Sequence, residues 1–261
     1  MRISLACLVA LATACAAPTA QAGPDKVAFP SGYLKGERYN IVDRPDIKQY
    51  RELYTQAEVI EAVRKGKPVP SGAVITLVQW SIETDAQGNP VRGPDGHFVK
   101  KDILAHGVME KRAGWGAEYP DTLRNGEWEY QSFGPDGRAN PKANIKSCFE
   151  CHKPHEKQDF VITLAKLGGT FPTAGTKPRT GATDVNIASF AFGPGKISVA
   201  PGQSVSWTNA DDSPHQISVA GRKTAVLLKG QSAALKFDQA GNFDYICSLH
   251  PSMKGQVEVR K

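Results

Sequence analysis

The sequence predicts two domains, an α+β domain with a mainly antiparallel sheet followed by an all-β Greek-key sandwich. Residues 168–182 are rich in Gly, Pro and Thr and lack an apolar period, which is typical of an exposed linker. Beyond them, seven short alternating segments fall within fewer than 80 residues, the strand density of a small sandwich. The predicted division is therefore a leader of residues 1–22, a first domain of residues 23–167, the linker, and a second domain of residues 183–261.

The leader has the features of a secretory signal peptide. Arg2 precedes an apolar run from Leu5 to Ala17, and Ala20-Gln21-Ala22 is a small-x-small cleavage site. The apolar run is too short for a permanent membrane helix, so we expect export to the periplasm without a transmembrane segment. The alternative is lipoprotein cleavage, with a lipid anchor on Cys15.

The first domain opens with a polar stretch at residues 33–43 that we interpret as irregular. Pro45 then precedes apolar residues at intervals of three and four, and Gly66 follows them, which predicts an amphipathic helix over residues 46–63. Strands are predicted next, separated by Gly-Pro-Asp-Gly turns, and a short helical stretch follows from about Pro141. The predicted strands cover residues 73–83, 97–101, 105–111 and 126–133.

A C-x-x-C-H motif, Cys148-Phe149-Glu150-Cys151-His152, ends this domain. Two thiols three positions apart can each add to a vinyl group of haem, and the adjacent imidazole can then bind the iron. The motif therefore predicts a c-type haem with His152 as axial ligand. The alternatives are a redox dithiol, or half of a zinc site with His155 as the nearest further ligand.

The iron's second axial position has no obvious ligand. The only methionine after the motif is Met253, and Met109 lies upstream. A five-coordinate iron, open to a small ligand, is therefore the expectation.

The second domain carries His215, Cys247, His250 and Met253. Two imidazoles, a thiolate and a weak axial thioether are the donor set of a type 1 copper centre. The alternative is a buried free cysteine, with His250 and Met253 as loop residues. Once the leader is removed, two cysteines for haem and one for copper leave none for a disulfide.

This second domain resembles cupredoxins of the plastocyanin, pseudoazurin and amicyanin kind. The short C-x-x-H-x-x-M ligand loop is most similar to that of amicyanin. The resemblance implies that His250 lies near the surface in an apolar patch and serves as the electron exit. The matching positions are Asn209, Ser213-Pro214-His215, Tyr245-Ile246-Cys247, His250-Pro251, Met253 and Lys254-Gly255.

The first domain combines the haem motif with Pro70-Ser71-Gly72, residues 111–116 and 126–130, and Asp159-Phe160. In this pattern residues 33–167 resemble the cytochrome P-460 and cytochrome c′-beta family. Membership implies a sheet-rich haem pocket and a homodimer through the haem domain. In the P-460 branch a lysine is linked to the porphyrin and the enzyme oxidises hydroxylamine, whereas the c′-beta branch binds nitric oxide. The lysine candidates for such a link are Lys65, Lys67, Lys100 and Lys101.

Two functions follow from these patterns. The first is electron transfer between haem and copper and onward to redox partner proteins. The second is a haem enzyme oxidising hydroxylamine or another small nitrogen compound, or binding nitric oxide, with copper as its electron outlet. For the second, Glu83 is the candidate distal acid or base, its alternative being a surface residue at a strand end. The net charge of +6 is scattered rather than clustered with aromatic residues, which argues against a nucleic-acid partner.

Overall fold

The computed structural model describes residues 26–168 and 183–260. The predicted leader with Cys15, and linker residues 169–182, lie outside these ranges. Within the described residues, no helix is both long and apolar enough to cross a membrane.

The first domain is built on one five-stranded antiparallel sheet whose strands follow sequence order. One face carries Leu53, Ile75 and Met109, because side chains alternate along each strand. Two helices pack on this inner face, α1 (Ala57–Arg64) and α2 (Ile145–His152). The strands are β1 (Glu37–Arg44), β2 (Gln49–Thr55), β3 (Val74–Ile82), β4 (Lys100–Lys111) and β5 (Trp128–Phe133).

The helix predicted over residues 46–63 is wrong in its first half, and the stretch before it is not irregular. Strand β2 occupies Gln49–Thr55 and pairs with β1, so the helix is confined to Ala57–Arg64. Tyr50 and Tyr54 are four positions apart, which fits a helical period as well as a strand period. Pairing with the distant strand β3 decided between the two: residues 49–54 align with residues 76–81 of β3, and the alternate residues Tyr50, Glu52 and Tyr54 are buried on one face of the sheet.

The second domain consists of two stacked sheets, as the fold class predicted. Their orders are β11-β10-β13-β14-β8 and β12-β9-β6-β7. Trp207, Tyr245 and Val257 fill the core between the sheets. The strands are β6 (Asp184–Ala188), β7 (Ala191–Gly193), β8 (Lys196–Val199), β9 (Gln203–Asn209), β10 (Ile217–Val219), β11 (Arg222–Lys223), β12 (Ser232–Phe237), β13 (Gly241–Cys247) and β14 (Lys254–Val259). The α+β and all-β predictions for the two domains are both confirmed.

Candidate metal centres

Three predicted copper ligands converge at one end of the sandwich. The Sγ of Cys247 lies 3.5 Å from the Nδ1 of His215 and 3.7 Å from the Nδ1 of His250. The two Nδ1 atoms are 3.3 Å apart, and the three ligand atoms all lie within 4.8 Å of one another. Cys247 and His215 are fully buried and His250 is half-buried. One thiolate and two imidazoles at this spacing suit a copper ion.

Backbone hydrogen bonds shape the ligand loop between β13 and β14. The amide of His250 donates to the carbonyl of Cys247, the amide of Met253 donates to the carbonyl of His250, and the amide of Cys247 donates to the carbonyl of Met253. These bonds fold the loop back on itself, so Met253 is buried in the same core as Cys247. His215 comes from the other side, just before β10, where Ile217 pairs with Cys247.

Asp211 orients His215 for metal binding. Its carboxylate lies 3.0 Å from Nε2 of the imidazole, which leaves Nδ1 directed at Cys247. The same carboxylate accepts the backbone N–H groups of Ser189 and Phe190, at 2.6 and 2.9 Å. Both of those residues have left-handed φ angles, so Asp211 stabilises a strained turn beside the site. The sequence analysis missed Asp211; its signal is an acidic residue four positions before a ligand histidine.

The site favours the thiolate form of Cys247. Burial by itself raises the pKa of this thiol, but hydrogen bonds from His215, His250 and the Gln216 amide lower it to about 5. A thiol that is ionised at neutral pH is ready to bind a metal ion.

The haem motif, Cys148 to His152, forms the C-terminal part of α2. Cys148 and Cys151 are three positions apart on the helix, so their side chains share one face. The Nδ1 of His152 donates to the carbonyl of Phe160 at 2.7 Å, which leaves Nε2 for an iron. Burial lowers the pKa of His152 to about 4, so the imidazole is neutral, as a ligand must be.

Comparison with known proteins assigns both domains. Residues 30–163, just over half of the chain, match the family described as cytochrome P460. Residues 179–260 match the copper binding proteins of the plastocyanin/azurin family. The chain belongs to both families.

Curated relatives of the copper domain are amicyanins. Amicyanin-alpha of Methylorubrum extorquens is 35% identical over 107 residues, covering 38% of this chain and 89% of the relative. Amicyanin of Paracoccus denitrificans is 36% identical over 102 residues, covering 36% and 78%. The solved amicyanin of Paracoccus versutus is 27% identical, covers 30% of this chain and 80% of its own, and has a TM-score of 0.29. A domain of this kind implies redox partner proteins.

The cytochrome P460 domain carries donors that fit haem. Cys148 and Cys151 share a face of α2, and Cys148 packs half-buried at the margin of the inner core. With the Nδ1 of His152 bonded to Phe160, the two thiols and the Nε2 of His152 form the donor set that holds haem. The chain is therefore a haem and copper redox protein.

The two domains touch beside the copper ligands. Val42 of β1 packs against the cores of both domains, and the hydroxyl of Ser252 in the ligand loop donates to Asp46 at 2.8 Å. The C-x-x-C-H helix packs on the same inner core as Val42, so the two sets of candidate ligands belong to domains in direct contact.

The remaining candidates fall into two groups: His155 and Met109 lie near the haem motif or in the core that packs against it, whereas Glu83 and the four lysines lie elsewhere on the domain. Glu83 is exposed just beyond the end of β3, eight residues and about 26 Å along the strand from Ile75 in the inner core. His155 is buried three residues after His152, and Met109 lies within the inner core. Lys65, Lys67 and Lys101 are exposed, and Lys100 bonds Glu52 on the opposite face of the sheet.

Proposed function

We propose that this protein moves single electrons between a c-type haem and a type 1 copper centre within one chain. Cys148 and Cys151 attach the haem and His152 binds its iron, while His215, Cys247, His250 and Met253 bind the copper. The observation that carries the proposal is the contact between the two domains beside the copper ligands, where the guanidinium carbon of Arg44 lies 3.9 Å from the ring centre of Phe190 and the Phe190 ring lies 5.1 Å from that of His250. With both groups bound, the haem iron and the copper would each supply a one-electron couple, Fe(III)/Fe(II) and Cu(II)/Cu(I), so that an electron would pass between them with no atom transferred.

The residues around the copper site suit this role. The ligand atoms of Cys247, His215 and His250 lie within 4.8 Å of one another, so a change of oxidation state would demand little rearrangement of the ligands. Asp211 and the loop hydrogen bonds hold them there. The leader supports export, so we place the electron exchange in the periplasm.

Chemistry on a small nitrogen compound has less support among the residues. An open iron that moves protons needs an acid or base beside it, and Glu83 is exposed near the far end of β3. The four lysines considered for a porphyrin link lie on the surface or on the opposite face of the sheet. We therefore propose electron transfer as the primary function.

The test is electron redistribution in the purified full-length protein loaded with both cofactors. After brief photoreduction, we expect the haem and the blue copper absorption to change together at a rate independent of protein concentration. Cys247→Ala removes the thiolate, so the blue absorption and the fast phase should vanish while the haem spectrum stays. Independent reduction of the two centres in the wild-type protein would refute the proposal.

A further inference from the structure

The β1–β2 turn of the cytochrome P460 domain touches the copper domain beside the copper ligands. Arg44, the last residue of β1, is only 5% exposed, although β1 is an edge strand of its sheet. Its guanidinium carbon lies 3.9 Å from the ring centre of Phe190, a residue of the copper domain. The Phe190 ring is 5.1 Å from the ring of His250 and 5.7 Å from that of His215.

Asp46 compensates the buried charge of Arg44. Two parallel hydrogen bonds, each 2.7 Å, join the guanidinium to the carboxylate, the geometry that arginine forms best. A buried arginine needs such a partner, because an unpaired charge is strongly unfavourable away from water. The copper domain contributes to the pair as well, since the hydroxyl of Ser252 donates to Asp46 at 2.8 Å.

A further contact between the two domains lies on β1 beside Arg44. Val42, two residues before Arg44 on β1, packs against the cores of both domains. A continuous set of contacts therefore runs from the copper ligand His250 through Phe190 to Arg44 and, along β1, to Val42 at the core on which the C-x-x-C-H helix packs.

We propose that the β1–β2 turn is the docking element for the copper domain, in which Arg44, positioned by Asp46, holds Phe190 against His250 and brings the two centres together. The inference rests on the proposed function. It identifies the haem domain of the same chain as the partner that docks at the ligand edge of the copper domain. Arg44 is a positioning residue in this arrangement. Its pair with Asp46 is neutral overall, so it places no net charge beside the copper.

The test compares three variants of the full-length protein carrying both cofactors. Arg44→Ala removes the stacking and the paired charge, and the first-order rate constant for electron exchange should fall about tenfold or more. Ser252→Ala removes one contact from the copper side and should lower the rate about threefold. Arg92→Ala is the matched control, because Arg92 also pairs with an aspartate, Asp43 at 3.1 Å, and lies over a phenylalanine, Phe98 at 4.6 Å, all within the first domain.

Hydrogen exchange of the copper-free protein gives a readout independent of electron flow. Amides of residues 248–250, 252 and 253 should exchange about tenfold faster in Arg44→Ala and at the wild-type rate in Arg92→Ala. Unchanged exchange and unchanged electron transfer in Arg44→Ala would overturn the docking proposal, as would equal losses in Arg92→Ala. If hydrogen exchange responds while the wild-type protein transfers no electron, docking stands and the proposed function fails.

Discussion

Asp211 connects two features of the copper site, the orientation of a ligand and the shape of a neighbouring loop. It lies 3.0 Å from the Nε2 of His215 and accepts two backbone N–H groups from the turn that presents Phe190. A carboxylate behind a ligand imidazole fixes the ring orientation and increases its basicity. One side chain thus supports the metal ligand and the aromatic ring that touches both histidines.

Replacing Asp211 should weaken copper binding without removing a ligand. We expect Asp211→Ala to lower copper affinity about 10- to 100-fold, the usual effect of losing such a partner. Competition titration with a copper chelator measures it. Asp238→Ala is the control, because Asp238 is an exposed surface partner of Lys236. Equal affinities in wild type and Asp211→Ala would show that the histidine is held by the fold alone.

Strands β1 to β4 are joined on their outer face by the buried carboxylate of Glu52. Arg38 on β1 donates to it at 2.8 Å, Lys100 on β4 at 3.0 Å, and the indole of Trp80 on β3 at 3.0 Å. Burial by itself raises the pKa of Glu52, but the bonds from Lys100 and Arg38 bring it below its ordinary value. This network supports the two strands that the sequence patterns did not reveal.

Glu52→Gln should destabilise the first domain by about 3 kcal/mol, because it removes charged hydrogen bonds at a buried site. The loss is limited because the side chains of Arg38 and Lys100 partly reach water. Denaturant unfolding measures the change, and Glu61→Gln, in an exposed pair with Lys65, should stay within about 0.5 kcal/mol.

The same network predicts a pH dependence. Because the native pKa of Glu52 is lowered, its contribution is complete above the ordinary glutamate pKa, about 4.3, and is lost as the pH falls through the native value. The difference between wild type and Glu52→Gln should therefore shrink in acid. A difference that stays constant with pH would contradict the assignment.

At the scale of the whole molecule, the two domains are distinct cores joined through a small set of contacts. Besides the Arg44 contacts, Lys166 approaches Asp212 at 3.8 Å, a pair exposed to solvent and therefore weak. Contacts of this kind resemble a transient interface more than a shared core. The two domains should accordingly unfold in separate transitions, and a ligand of one domain should shift the transition of that domain.

Copper loading should raise the unfolding temperature of the copper domain selectively. At a free copper concentration 100 times the dissociation constant, the native domain gains about 2.7 kcal/mol. Differential scanning calorimetry should show one transition moving and the haem-domain transition moving less. Cys247→Ala should abolish the shift. A copper-dependent shift that persists in this variant would place the bound copper elsewhere.

The sequence by itself determined the two domain classes and the residues with metal chemistry. C-x-x-C-H places two thiols on one turn of helix, and the loop from Cys247 to Met253 holds three copper candidates within seven positions. Such spacings are local, so they can be interpreted without knowing the fold. The alternating pattern of the second domain is local as well.

Only the tertiary structure decided the features that depend on distant contacts. It paired β2 with β3 and so converted half of a predicted helix into a strand, because burying one sheet face outweighs local periodicity. It brought His215 to Cys247, 32 positions away, and Asp211 behind it. It also placed Arg44 on Phe190 across the two domains, a contact between residues that no short-range pattern connects.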